Sequence, residues 1–194
     1  AGRKVPVRVT AILCLAENLP DSNAVRPGDV FVAANGKTVH VDNTDAEGRL
    51  VLSDGLFHAG REGATHIIDF ATLTGACVVA LGERIAGVMG NDDQLIDDLR
   101  KASDVSGDRI WPLPLPADYR SYLDTHVADI NNVGGRFGGA ITGGIFLKEF
   151  VPDGVKWAHV DIAGPSFTQK KWGYFAEGAT GFGVRHIDAY FDKF

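Results

Sequence analysis

Positive charge, methionine, cysteine and paired histidines are all scarce in this 194-residue sequence, and each scarcity closes off a class of function. Lysine and arginine number 19 against 25 acidic residues, for a net charge of -6. Phosphate backbones are bound through a cationic surplus, so no nucleic-acid partner is expected. No apolar run approaches the roughly 20 residues that cross a bilayer, so no membrane partner is expected either. The two cysteines, Cys14 and Cys77, lie in the apolar runs Ala11–Leu15 and Ala76–Leu81. They read as buried free thiols, which suits a reducing, cytoplasmic compartment. His40, His58, His66, His126, His159 and His186 form no H-x-H or H-E-x-x-H pair, so a histidine-held zinc centre is not expected. No G-x-S-x-G elbow is present, which argues against a serine hydrolase. Methionine occurs once, at Met89, and the chain opens Ala1-Gly2-Arg3-Lys4 with no signal-peptide pattern. Initiator removal or derivation from a longer chain would each account for that opening.

What remains is an ordinary globular composition, 45% hydrophobic and 23% charged, with enough length for one domain and a sizeable core. The β-branched run Val5–Leu15 predicts a strand, as do His66–Phe70, Ile85–Met89 and Trp157–Ile162. Asn35-Gly36 between Asp29–Ala33 and Lys37–Val41 predicts a hairpin. Leu50–Ala59 predicts a helix with Leu52, Leu56 and Ala59 on one face and Gly60 as its stop. A second helix is expected from an Asn91 cap through Leu95, Ile96, Leu99 and Ala102 to Gly107. A short helix is expected at Ala76–Leu81 and a terminal one over Val184–Phe194, whereas the prolines of Trp111–Pro116 require extended chain. Strands alternating with helices, plus one hairpin, predict an α/β fold with a mixed sheet.

The stretch Asn43-Thr44-Asp45-Ala46-Glu47-Gly48-Arg49 concentrates the charge chemistry. Thr44-x-x-Glu47 ahead of an apolar run has the form of a capping box, but that leaves Asp45 and Arg49 unused. Asn43-x-Asp45-x-Glu47-Gly48 with Asp54 approximates a calcium loop, but a predicted strand occupies the place of its entering helix. The third reading is a metal site: in extended backbone the Asp45 and Glu47 carboxylates would point to one side and hold divalent ions. Arg49 would then hold a small anion or a developing oxyanion.

The segment Asn43–Leu50 is identical to the signature of the leucyl aminopeptidase (cytosol aminopeptidase) family, peptidase family M17. Further segments resemble that family in order along the chain: Glu17-Asn18 with Pro20, Arg26–Val30, Asp69 with Ala71–Ala76, Asn132–Gly135, Gly139–Thr142 and Trp157–Pro165. The resemblance implies a three-layer α/β/α fold around a central mixed β-sheet, like that of zinc-dependent exopeptidases. It implies a two-metal enzyme, with zinc or manganese, that releases N-terminal residues, preferentially leucine, from peptide substrates. It implies Asp45 and Glu47 as metal ligands, with Glu47 bridging both ions, and Arg49 as the catalytic arginine, thought to hold a bicarbonate. Thr72, Leu73 and Gly75 would line the substrate site, Ala163 would form a pocket wall, and the assembly would be a homo-hexamer.

The match has a gap. In the family a glycine-rich stretch with two lysines and two aspartates precedes the signature, three of these four residues binding metal and one lysine being catalytic. The sequence as given has no counterpart ahead of Val5, and Arg3 and Lys4 lie too close to the first predicted strand to substitute. Residues 1–194 are therefore expected to be the C-terminal portion of the catalytic domain, without that segment or the family's N-terminal domain. By themselves they are expected to hold two metals weakly and to show little or no peptidase activity. The alternative is a non-catalytic binding or assembly protein that keeps the scaffold. Of the remaining features, Gly134–Gly144 reads as close backbone packing at a helix start rather than a phosphate loop. His159 reads as a satisfied core histidine, Asp69 and Asp161 as turn caps, and Cys77 as core.

Overall fold

The structure is a computed structural model that describes residues 3–194. Its frame is a four-stranded mixed sheet in the order β3-β7-β4-β5, with β3 at His66–Ala71, β4 at Ala86–Gly90, β5 at Ile110–Pro112 and β7 at Lys156–Asp161. β3 runs parallel to β7, β7 antiparallel to β4, and β4 parallel to β5. A smaller sheet joins β1 (Val30–Val32), β2 (Thr38–His40) and β6 (Ile130–Asn131), and β8 (Phe167–Thr168) pairs with β9 (Gly178–Ala179). The hairpin signal is realised between β1 and β2: Gly36 adopts φ 87°, and Asn35 Oδ1 accepts from Lys37 N at 3.0 Å.

Helices cover both faces, giving the α/β/α layering expected. On one face α1 (Glu47–Arg61) and α4 (Gly139–Lys148) bury Leu50, Leu52, Leu56, Ile145, Phe146 and Leu147 against Trp157. On the other, α3 (Asp93–Ser106) and α5 (Val184–Tyr190) bury Leu95, Leu99, Ala102 and Tyr190 against Val88, Ala158 and Val160. The alternation of Trp157, His159 and Asp161 with Ala158 and Val160 along β7 is the period-2 consequence of a central strand. α4 is apolar all round because it is covered all round, and glycines let it approach its neighbours. A Cβ at Gly144 would lie 2.7 Å from Met89 Sδ, and one at Gly134 would lie 2.8 Å from Thr142 Cγ2. The glycine-rich stretch is thus a packing device, as its sequence suggested.

Four expectations are corrected. Val5–Leu15 forms no strand; none of the strands pairs with it, and Leu13 and Leu15 are exposed. β-branched composition favours a pleated, half-buried surface but does not supply a ladder partner. The segment instead hangs on α1, through Arg8 Nη2 donating to Glu62 O at 3.0 Å and Cys14 against Gly55. Cys14 is accordingly only half-buried. Gly60 does not stop α1, which continues to Arg61; it is the contact point for the Pro152 ring. Asp92, not Asn91, caps α3, accepting from Leu95 N at 2.8 Å. Asn91 is recruited by β7 instead, accepting from Trp157 N at 2.7 Å and donating to Val155 O at 2.9 Å. The αL turn at Gly107 (φ 75°) closes α3 as anticipated.

His186, on α5, is fully buried and its Nε2 lies 2.8 Å from Leu99 O, while Nδ1 has no partner among the described residues. Burial pushes its pKa below the ordinary value, with the Leu99 carbonyl and Asp108 opposing. His66 is shifted in the same direction, by burial and then by Lys193 and Lys156. A histidine held neutral in the folded state binds fewer protons than in the unfolded chain. Its stabilising effect is therefore complete above the ordinary histidine pKa and is lost as pH falls below it. His186→Gln should flatten the decline of the urea midpoint between about pH 6.5 and 5. An unchanged slope would remove His186 from this role.

Candidate functional site

The NTDAEGR stretch folds as a tight helix start. Asn43 is extended, and its Oδ1 accepts from Asp45 N at 3.0 Å, capping a single 3₁₀ turn over Thr44–Ala46 that runs into α1 at Glu47. The capping-box expectation is corrected: Asn43, not Thr44, is the cap. The extended geometry assumed for Asp45 and Glu47 is corrected too. Two residues apart on a helix start, they leave the chain in different directions, Asp45 exposed and Glu47 half-buried. One turn on, Arg49 is buried, 6% exposed, and reaches into the interior.

The Arg49 guanidinium is held from several elements. Nη1 donates to Asn132 O at 2.6 Å, and the carbon at its centre lies 5.8 Å from the Phe146 ring centroid on α4. Its Nε is buried without a partner among the described residues. Burial pulls its pKa down to about 10, with the Asp161 carboxylate opposing, so the side chain stays cationic at neutral pH. Asn132 does more than accept: its Oδ1 takes Asp42 N at 2.9 Å and Asn43 N at 3.3 Å, and its Nδ2 donates to Asn43 O at 2.7 Å. One buried asparagine thus fixes both the start of the acidic stretch and the guanidinium that ends it.

Asp161, at the end of β7 and fully buried, joins two further segments. Its Oδ1 accepts from Leu73 N at 3.1 Å, Thr74 N at 3.4 Å and Ala163 N at 3.2 Å, and its Oδ2 from Thr74 Oγ1 at 2.6 Å. Thr74 Oγ1 in turn accepts from Cys77 N at 3.1 Å, which caps α2 (Gly75–Leu81). The turn after β3 and the turn after β7 therefore share one carboxylate. At Gly143 of α4 the arrangement closes: a Cβ there would lie 3.1 Å from Thr74 Cγ2, 3.2 Å from Leu73 Cδ2 and 3.5 Å from Arg49 Nη2.

The structure thus brings Arg49, Leu73 and, through Asp161, Ala163 to one end of the sheet, with Thr72 and Gly75 flanking Leu73 and exposed. Asp45 stands about one turn, and Glu47 about half a turn, before Arg49. Asp161 caps turns, as its place at a strand end predicted, whereas Asn132 was not anticipated as a positioning residue; its only signal was an amide just after a short strand. Asp69 does not cap a turn: its carboxylate accepts from Trp157 Nε1 at 2.7 Å and pairs with His159 Nδ1 at 2.5 Å. His159 is core, as read, although its Nε2 finds no partner among the described residues. Cys77 is buried, and burial with Asp161 nearby pushes its thiol up to about 11, which disqualifies it as a neutral-pH nucleophile.

Among the described residues no three histidine, cysteine, aspartate or glutamate side chains converge on a metal position. The donor chemistry of Asp45 and Glu47 suits hard divalent ions, but two carboxylates make part of a site rather than a whole one.

Comparison with known proteins decides the family. The model of the cytosol aminopeptidase family, catalytic domain, matches residues 1–187. The chain belongs to the cytosol aminopeptidase family. It is 48% identical over 194 residues to a probable cytosol aminopeptidase of Aquifex aeolicus, covering all of this chain and 39% of that one. A probable cytosol aminopeptidase of Streptomyces griseus is 54% identical over 182 residues, covering 93% of this chain and 35% of the relative. Among solved structures, a mutant of tomato leucine aminopeptidase superposes with a TM-score of 0.87 at 43% identity, covering 92% of this chain and 34% of that one. The bottromycin maturation enzyme BotP in complex with Mn gives 0.89 at 40% identity, covering 92% and 40%. The family member described here therefore spans well under half the length of these relatives. No helix among its described residues is long and apolar enough to cross a membrane.

Proposed function

We propose that this chain is the Arg49-bearing, C-terminal portion of a metal-dependent aminopeptidase catalytic domain that releases N-terminal residues, leucine preferred, from peptides. The observation that carries the reading is the convergence at Gly143: a buried arginine with a spare donor meets the turn Leu73–Thr74, which Asp161 ties to Ala163. In this reading Asp45 and Glu47 contribute carboxylates to a site for two divalent ions, zinc or manganese. The chemistry that such ions supply is a more acidic water and a polarised scissile carbonyl. Arg49, with Nε unpartnered, offers charge-assisted donors to a small anion such as bicarbonate, which would take up a proton. Leu73 and Ala163, half-buried and apolar, form walls suited to an aliphatic first side chain, and Thr72 and Gly75 expose backbone and hydroxyl groups beside them. A homo-hexamer in the cytoplasm goes with this reading.

The incomplete donor set predicts how the activity divides. The 194-residue chain alone, given leucine p-nitroanilide and manganese, should turn over little or none. Joined to the preceding catalytic-domain segment of the Aquifex relative, it should turn over the substrate and stop when chelated with EDTA. Robust, chelator-sensitive turnover by the isolated chain would overturn the division of labour. A folded fusion that binds metal without hydrolysing the substrate would favour the non-catalytic scaffold.

A further inference from the structure

A second constellation lies at the same end of the main sheet and is used by nothing described so far. Beyond Ala163 the chain turns through Pro165, and the loop that follows is pinned back by β8–β9 and by Thr180, whose Oγ1 donates to Pro165 O at 2.5 Å. At the loop's tip Trp172 and Phe175 pair through two backbone hydrogen bonds, Trp172 N to Phe175 O at 3.1 Å and the reverse at 2.9 Å. This tight bridge stacks their rings, with centroids 5.5 Å apart and an interplanar angle of 14°. Arg84 lies over Trp172 at 4.4 Å and Arg185 over Phe175 at 5.1 Å, so two guanidinium groups close a cation–aromatic–aromatic–cation stack.

The stack walls a cavity of about 460 Å³ that Pro165, Lys170 and Lys171 also line. That volume falls within the roughly 300–1,000 Å³ of small-ligand sites. The charges around it are unequal. Arg185 is paired with Asp108, but Arg84, Lys170 and Lys171 have no carboxylate partner among the described residues. Glu83 is the one other acidic group on the lining. A protein of net charge -6 has thus gathered a local cationic surplus around an apolar lining of Pro165, Phe167, Phe182 and the ring edges of Trp172 and Phe175. An apolar lining without charge would take any apolar group, and lysines without that lining would take any anion; the combination selects a molecule that is both.

We propose that this cavity binds a carboxylate carried on an apolar or aromatic body, the chemistry of the carboxyl-terminal residue of a peptide. The choice of peptides among organic carboxylates rests on the aminopeptidase reading above. The position fits that choice, because Pro165 on the cavity wall is two residues beyond Ala163 on the candidate substrate wall. The carboxylate is placed against Lys170, Lys171 and the free edge of Arg84, and the body against Phe167, Phe182 and the ring edge of Trp172, whose faces the stack occupies.

The test needs no turnover, so it stands or falls separately from the peptidase reading. N-acetyl-L-phenylalanine is titrated into the 194-residue chain while tryptophan fluorescence is followed, beside its neutral amide and inorganic phosphate. The acid should bind saturably and about tenfold tighter than the amide, as one charge-assisted contact provides. Lys170→Gln with Lys171→Gln, both exposed and free of packing duties, should weaken the acid about tenfold and leave the amide unchanged. Trp172→Phe should keep the aromatic stack and the apolar lining and abolish the optical signal. Equal binding of acid and amide, equal binding of phosphate, no saturation by ~10 mM, or a signal that survives Trp172→Phe would each overturn the proposal.

Discussion

Asp161→Ala should cost about 4 kcal/mol of folding stability, the largest loss expected from any single carboxylate in the chain. The residue is fully buried and accepts four hydrogen bonds, from three backbone amides and one hydroxyl. Removing it leaves Leu73 N, Thr74 N and Ala163 N facing an apolar void, and each orphaned buried donor costs roughly 1–3 kcal/mol, less whatever the loop recovers by relaxing. It also removes the negative charge that partly offsets the buried Arg49. Against a typical total of about 5–15 kcal/mol, such a variant keeps little margin. Asp161→Asn retains one acceptor oxygen and should lose only about 1–2 kcal/mol. Urea unfolding measures both, and hydrogen exchange at Leu73, Thr74 and Cys77 should accelerate well before global unfolding in the alanine variant. If both variants unfold within about 0.5 kcal/mol of the parent, Asp161 is not the clamp between the two turns.

Asp161 was legible in the sequence as a turn cap, but which turns it joins was not. Local signals were read well where local chemistry decides: the Asn35-Gly36 hairpin, the Gly107 stop and the extended Trp111–Pro116 depend on a few neighbouring residues. The errors came where a partner far along the chain intervened. Asn91 and Asp92 are both good caps, and the choice between them was made by Trp157, to which Asn91 is bound. Gly60 looked like a stop because its contact with Pro152 was invisible. Val5–Leu15 has strand composition, but a strand is a pairing and not a property of one segment. Asp161 caps its own turn at Ala163, as read, but its other partners lie as far as 88 positions away and those of Asn132 as far as 90, so nothing nearby announces them. The NTDAEGR stretch was legible as chemistry, through its residue types and its resemblance. Its geometry was not, because the Asn43 cap turns it into a helix start and sends Arg49 inward.

That inward turn sets the second large effect. Arg49→Met in the fused catalytic domain described above should lower kcat about 10³-fold, the loss typical of removing a donor aimed at developing charge. KM should move little, because in the proposed reading Leu73 and Ala163, not the guanidinium, would wall the first side chain. Stability of the isolated chain should fall by only about 1–2 kcal/mol, since Met removes the desolvation cost of the guanidinium but leaves the Asp161 carboxylate without its offsetting charge. The two expectations share one cause. Arg49 is desolvated, its Nε has no partner among the described residues, and its contacts there include one carbonyl, one aromatic ring and a nearby carboxylate. A buried cation so incompletely satisfied contributes little net to folding, and an apolar side chain of similar length removes its desolvation cost while giving up one hydrogen bond. Arg49→Lys keeps the charge but not the planar fork, so it should recover only part of the rate. A loss above about 3 kcal/mol in Arg49→Met would mark the arginine as a structural pin. A rate within tenfold of the parent would remove it from the reaction altogether, and the orphaned Nε would then need another reason to be kept dry.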